Sequence, residues 1–183
     1  MNFFLYPLFF VLLFPSAWSQ NMYQFSFELP NNEKLDLSQH KGKVVMIVNI
    51  ATKCGFTGQL DDMEKLNSKY KRKDQDQDFV LIGVPSNDFG GQTPESDAEV
   101  NAFCKTKFNT NFIVTKKVIV KGKKEEMHPF FTYLQDSRKG TTIKWNFEKF
   151  IFNKKGEYVD FFTSLRSPNS SKITDLIDKL LKE

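Results

Sequence analysis

The chain has 183 residues, 40% of them hydrophobic and 26% charged, with a formal net charge of +4. That length suits one domain around one core, and the balance excludes a disordered or fibrous chain. The positive excess is too small and scattered for a nucleic-acid-binding face. Its densest cluster, Lys116, Lys117, Lys121, Lys123 and Lys124, runs into Glu125 and Glu126 and reads as a hydrated loop, with contact to anionic lipid headgroups as the alternative.

From Phe3 to Phe14 an apolar run is broken only by Tyr6 and Pro7, and no charged side chain precedes Glu28. The run is short of the roughly 20 apolar residues a spanning helix needs. It ends where Ala17 and Ser19 supply small residues at alternate positions, which predicts a cleaved signal peptide over 1–19 and a domain over 20–183. The protein is thus expected to be exported, periplasmic in a bacterium or secreted in a eukaryote. The n-region carries no Lys or Arg, so an uncleaved membrane anchor is the alternative. An oxidising compartment would let the two cysteines, Cys54 and Cys104, hold a disulfide. By count alone, a structural staple is an equal reading. Asn169-Ser170-Ser171 is a glycosylation sequon, relevant only in a eukaryotic secretory pathway.

In chain order, Phe25–Phe27 and Leu35–Leu37 alternate apolar and polar around Asn31-Asn32, predicting a small β-hairpin. Val44–Ile50 is apolar throughout except at Asn49, the pattern of a strand buried on both faces. Leu60, Met63, Leu66 and Tyr70 recur at helical spacing, with Thr57 placed as N-cap and Asp61 and Asp62 in the first turn. A second buried strand is expected at Phe79–Val84, closed by Pro85, and then a helix capped by Ser96 that carries Val100, Phe103 and Cys104. Strand pieces at Phe112–Val114 and Val118–Val120, a helix over Met127–Gln135, a hairpin of Phe147–Asn153 with Tyr158–Phe162 about Lys155-Gly156, and a helix over Ile173–Leu181 complete the chain. The expectation is an α/β fold: a mixed central sheet flanked by helices, with an N-terminal β-hairpin.

Cys54 lies in Ala51-Thr52-Lys53-Cys54-Gly55-Phe56-Thr57, the turn between the first central strand and its helix. Backbone N–H groups and the positive end of the helix dipole favour a thiolate there, and the thiolate is the form that attacks peroxides. There is no C-x-x-C partner, which argues against a protein thiol–disulfide exchanger, and a packed or stapled thiol is the other reading.

The segment Lys41–Thr57 resembles the stretch around the peroxidatic residue of the glutathione peroxidase family. Gly83-Val84-Pro85-Ser86-Asn87-Asp88-Phe89-Gly90-Gly91-Gln92 is similar to that family's second signature, and Lys144-Trp145-Asn146-Phe147-Glu148-Lys149-Phe150 to its third, in the same order. The resemblance implies a thioredoxin-like fold and a catalytic cluster of Cys54, Gln92, Trp145 and Asn146. Neutral amide and indole donors of this kind stabilise a thiolate and steer peroxide oxygens without adding charge. It further implies that Cys104 is the resolving cysteine, and that hydrogen peroxide and organic or lipid hydroperoxides are reduced at the expense of glutathione or a thioredoxin-like protein. The two cysteines would start apart, so the helix bearing Cys104 would have to open partly for a disulfide to form. The short run from Gly140 to Trp145 leaves no room for the subunit-contact insertion of tetrameric members, which implies a monomer with an open site.

The chain departs from the family pattern at Ser86, Asp88 and Gly58, none of which the resemblance assigns to the chemistry. His40 and His128 read as surface residues. No metal-ligand or nucleotide-binding motif occurs, so no cofactor is expected.

Overall fold

A computed structural model describes residues 21–71, 78–138 and 142–183, and the expected signal peptide lies outside them. Strand β1 (Ser26–Glu28) pairs antiparallel with β2 (Lys34–Asp36), the predicted hairpin, turned by Asn32 at φ +67°. Strand β3 (Val44–Ile50) is buried at all seven residues. It pairs in parallel with β4 (Phe79–Pro85) on one side and antiparallel with β6 (Lys149–Phe152) on the other. Strand β5 (Ile113–Val114) adds in parallel to β4, and β7 (Tyr158–Phe162) antiparallel to β6. The order β5-β4-β3-β6-β7 is the mixed sheet that the sequence predicts.

Two apolar cores follow from the period-2 alternation of β3. Val44, Met46, Val48 and Ile50 face Leu60 and Met63 of α1 (Gln59–Tyr70), Cys104 of α2 (Asp97–Phe108) and Ile177 of α4 (Ser171–Leu180). Val45 and Ile47 face the other way, onto the hairpin and α3 (Pro129–Ser137). Phe130 is the hub of that second core, its ring centroid 5.2 Å from Phe131, 5.4 Å from Phe27 and 5.7 Å from Phe152. The sheet is therefore covered on both faces, which is what a strand with no polar side requires.

Several expectations are corrected. Thr57 does not cap α1; Gly58 occupies the N-cap position without a side-chain hydrogen bond. Val118–Val120 is not a strand, because Asp88 Oδ2 accepts from the backbone N–H groups of Val120 (2.6 Å) and Lys121 (3.1 Å), a carboxylate standing in for a neighbouring strand. His40 is buried rather than on the surface, and burial lowers its pKa. His128 is half-buried, its ring stacked 4.5 Å from Phe27, while its Nδ1 accepts from Phe130 N at the start of α3. The lysine cluster is partly tied down: Lys116 bonds Glu28 and Asn32, and Lys124 bonds Asp136.

The topology brings three loops to one end of the sheet. Ile50 and Pro85 are register partners, so the segments following β3 and β4 emerge side by side. Because β6 runs antiparallel to β3, with Val48 opposite Lys149, the segment entering β6 meets them there.

Candidate active site

The turn after β3 is fastened by Thr57. Its Oγ1 accepts from Cys54 N (2.9 Å) and donates to Ala51 O (3.1 Å), while Thr57 N donates to Cys54 O (3.0 Å). The turn holds Cys54 partly exposed, with the backbone N–H of Phe56 directed at Sγ from 3.5 Å. Helix α1 begins five residues later, at Gln59.

The loop after β4 carries Gln92. Gly90 (φ +67°) and Gly91 (φ +64°) take left-handed conformations that a side chain would strain, and so fold this loop back on itself. Lys53 N donates to Gln92 O (2.9 Å), and Thr52 Oγ1 donates to Glu95 Oε2 (2.6 Å), stitching the two loops together. Glu95 also pairs with Lys53 at 3.2 Å. Its partial burial works to raise its pKa, but hydrogen bonds from Thr52, its own backbone and Lys53 outweigh that and hold it below the usual carboxylate range.

The segment before β6 supplies Trp145 and Asn146. Asn146 is fully buried; its Nδ2 donates to Gln92 Oε1 at 2.9 Å and its Oδ1 has no partner. Trp145 is 40% exposed, its ring 5.8 Å from Phe89. With Phe56, Thr163 and Leu165 it lines an apolar cavity of about 290 Å³. Thus Gln92 and Asn146 touch, the Cys54 turn is bonded to the Gln92 loop, and Trp145 shares a cavity with Phe56, two residues beyond Cys54.

Cys104 lies in the core cluster against which Cys54 packs. It is fully buried in the interior of α2, and burial pushes its thiol up to about 11. Both cysteines are free.

Sequence reasoning missed the residues that support the cluster. Ser164 Oγ donates to Asn146 O (2.7 Å), and Gln59 Nε2 donates to Ser164 O (2.6 Å). Lys149, fully buried, donates from Nζ to Gln59 Oε1 and Arg166 O, each at 2.6 Å, and to Thr163 O at 3.4 Å. Burial lowers Lys149 to about 7, against the pull of Glu148 and Asp62 toward the charged form. A polar residue inside an apolar strand was the available signal, and Lys149 and Asn49 both carry it.

The glutathione peroxidase family profile matches residues 22–135 of this chain. The chain belongs to the glutathione peroxidase family. The glutathione peroxidase-like peroxiredoxin HYR1 of Saccharomyces cerevisiae is 43% identical over 149 residues, covering 79% of this chain and 86% of the yeast protein. The glutathione peroxidase of Lactococcus lactis is 38% identical over 164 residues, covering 88% and 99%. Among solved structures, the apo form of Trgpx superposes with a TM-score of 0.72 at 32% identity, covering 90% of this chain and 97% of that one. The peroxidase is built on the thioredoxin-like fold that the resemblance implies.

Proposed function

We propose that this peroxidase reduces hydroperoxides through Cys54, with Gln92, Trp145 and Asn146 as the groups around the reacting atoms. The observation that carries the assignment is the Sγ of the partly exposed Cys54 receiving the Phe56 N–H, in a turn bonded to the loop whose Gln92 pairs with Asn146. Gln92 Oε1 is engaged by Asn146, so what Gln92 would offer the reacting oxygens is its Nε2 donor, as Trp145 would offer its indole N–H. The Cys54 thiolate attacks the distal peroxide oxygen, the O–O bond breaks, and the departing alkoxide or hydroxide takes a proton to leave as alcohol or water. Cys54 becomes a sulfenic acid.

Cys104 then condenses with the sulfenic acid, forming the S–S bond and releasing water. A dithiol, or two molecules of glutathione, is oxidised to its disulfide as both thiols are restored. Because Cys104 is sealed in the core, this step needs α2 to open locally. The exposed Leu165 beside Trp145 and the apolar cavity suit bulky lipid hydroperoxides. We read the protein as an exported monomer whose first 19 residues are removed, on the apolar leader and the short Gly140–Trp145 connection. A permanent Cys54–Cys104 staple finds no support in two free cysteines, one of them wholly buried.

The test is stoichiometric. One equivalent of hydroperoxide added to reduced protein consumes both thiols in the wild type, leaves a trappable sulfenic acid in Cys104→Ser, and does nothing to Cys54→Ser. Intact thiols in the wild type would remove the proposal. Turnover with glutathione against turnover with a thioredoxin system identifies the reductant.

A further inference from the structure

Asn49 is fully buried in β3, five positions before Cys54, and every polar group it owns is spent on the segment that presents Trp145 and Asn146. Its Nδ2 donates to Trp145 O (3.0 Å), and its Oδ1 accepts from Glu148 N (2.9 Å). Its backbone carbonyl accepts from Phe147 N (2.6 Å), and its backbone N–H donates to Glu148 O (3.3 Å). The regular β3–β6 ladder stops one residue short of it, at Val48 opposite Lys149. Between the groups it holds, Phe147 takes a left-handed backbone conformation, φ +63°, although it is a bulky, fully buried residue. Such a conformation persists only where its surroundings over-determine it.

From this we infer that Asn49 is a positioning residue for the peroxide step, an inference that rests on the role proposed above for Cys54. One strand leads into the turn that carries the nucleophile and, through Asn49, fixes where the segment bearing the indole and amide stands. The distance between the two halves of the site is thereby set by a single rigid element. An apolar residue at 49 would satisfy the strand and leave the Trp145–Glu148 turn free to relax its left-handed kink, moving Trp145 and Asn146 away from the sulfur.

The test uses the full chain in a Trp18→Phe background, where Trp145 is the sole tryptophan. Asn49→Leu keeps the size and removes the polar groups. Asn49→Thr suits a strand but is too short to bridge the turn, and it carries the experiment should the leucine variant not fold. Sulfenic acid formation at Cys54 is timed under single turnover, and Trp145 emission is read on the same samples. The expected result is a fall of tenfold or more in the peroxide rate, on the scale of the roughly 10²-fold that an ångström of misplacement can cost, together with a shifted Trp145 emission. A folded variant that reacts as fast as its parent, or that slows with Trp145 emission unchanged, would overturn the inference. A parent that itself ignores peroxide would instead refute the role of Cys54.

Discussion

Asn146 is packed yet only half satisfied: its Nδ2 is committed to Gln92 while its Oδ1 is buried with no partner. An unpaired buried acceptor costs on the order of 1–3 kcal/mol, a cost that the role proposed for Asn146 beside the reacting oxygens would offset. Replacing it with Asp sets a carboxylate against Gln92 Oε1 and removes the donor. The peroxide rate should fall roughly 10²-fold, the scale of losing one preorganised donor, as followed by stopped-flow oxidation of Cys54. Lys149 gives a second, pH-dependent prediction. Its folded pKa, about 7, lies below its ordinary 10.5, so between these values the unfolded chain binds the proton that the folded chain has released. Folding stability attributable to Lys149 therefore rises as pH climbs from 7 toward 10.5. In urea titrations at pH 6.5 and pH 9, the wild type should gain about 2 kcal/mol over Lys149→Met. A gap that does not change with pH would show that the lysine titrates normally.

Helix α2 is stopped and started by strong local signals. Ser96 and Glu99 form a reciprocal capping box at its start, and Asn109 closes it at φ +49°. If resolution needs this helix to open, weakening the cap should quicken resolution. Ser96→Ala, at a cost of about 1 kcal/mol, should raise the rate of second-thiol loss roughly fivefold while leaving first-thiol loss unchanged. A resolution rate indifferent to the cap would mean that α2 opens elsewhere or not at all. The cap, the buried strand Val44–Ile50 and the hairpin about Asn32 were all legible in the sequence, since each is written in neighbouring residues. Val118–Val120 and His40 were misread for the opposite reason. The Asp88 carboxylate captures Val120 from over thirty residues away, and His40 lies among Asn67, Leu81 and Asn111, all distant in the chain; Thr57 was misread locally, its hydroxyl turning back to the Cys54 turn instead of capping α1. The proposed cluster of Gln92, Trp145 and Asn146 was legible only through its resemblance to a family. The pairing of Gln92 with Asn146 spans 54 positions, and no local pattern encodes it.

Across the whole molecule, the site is fastened to both faces of the sheet. Arg138, at the end of α3, pairs with Glu148 at 3.3 Å; both side chains are almost wholly buried, and Glu148 Oε1 also accepts from Lys144 N (2.9 Å). The guanidinium lies 3.9 Å from the Phe161 ring centroid. Arg138→Met would strand the carboxylate, destabilising the fold by roughly 3–5 kcal/mol; the double change with Glu148→Gln should recover much of that loss in thermal melts, and a single variant as stable as the wild type would deny the pair any role. On the opposite face, the thiol proposed to finish each turnover is also a brick of the wall behind β3. Any bond from Cys104 to Cys54 takes that brick out. Starved of reductant, the protein would be caught with α2 detached, and its lifetime would then be decided by proteases cutting at 97–108 rather than by the oxidant it consumes.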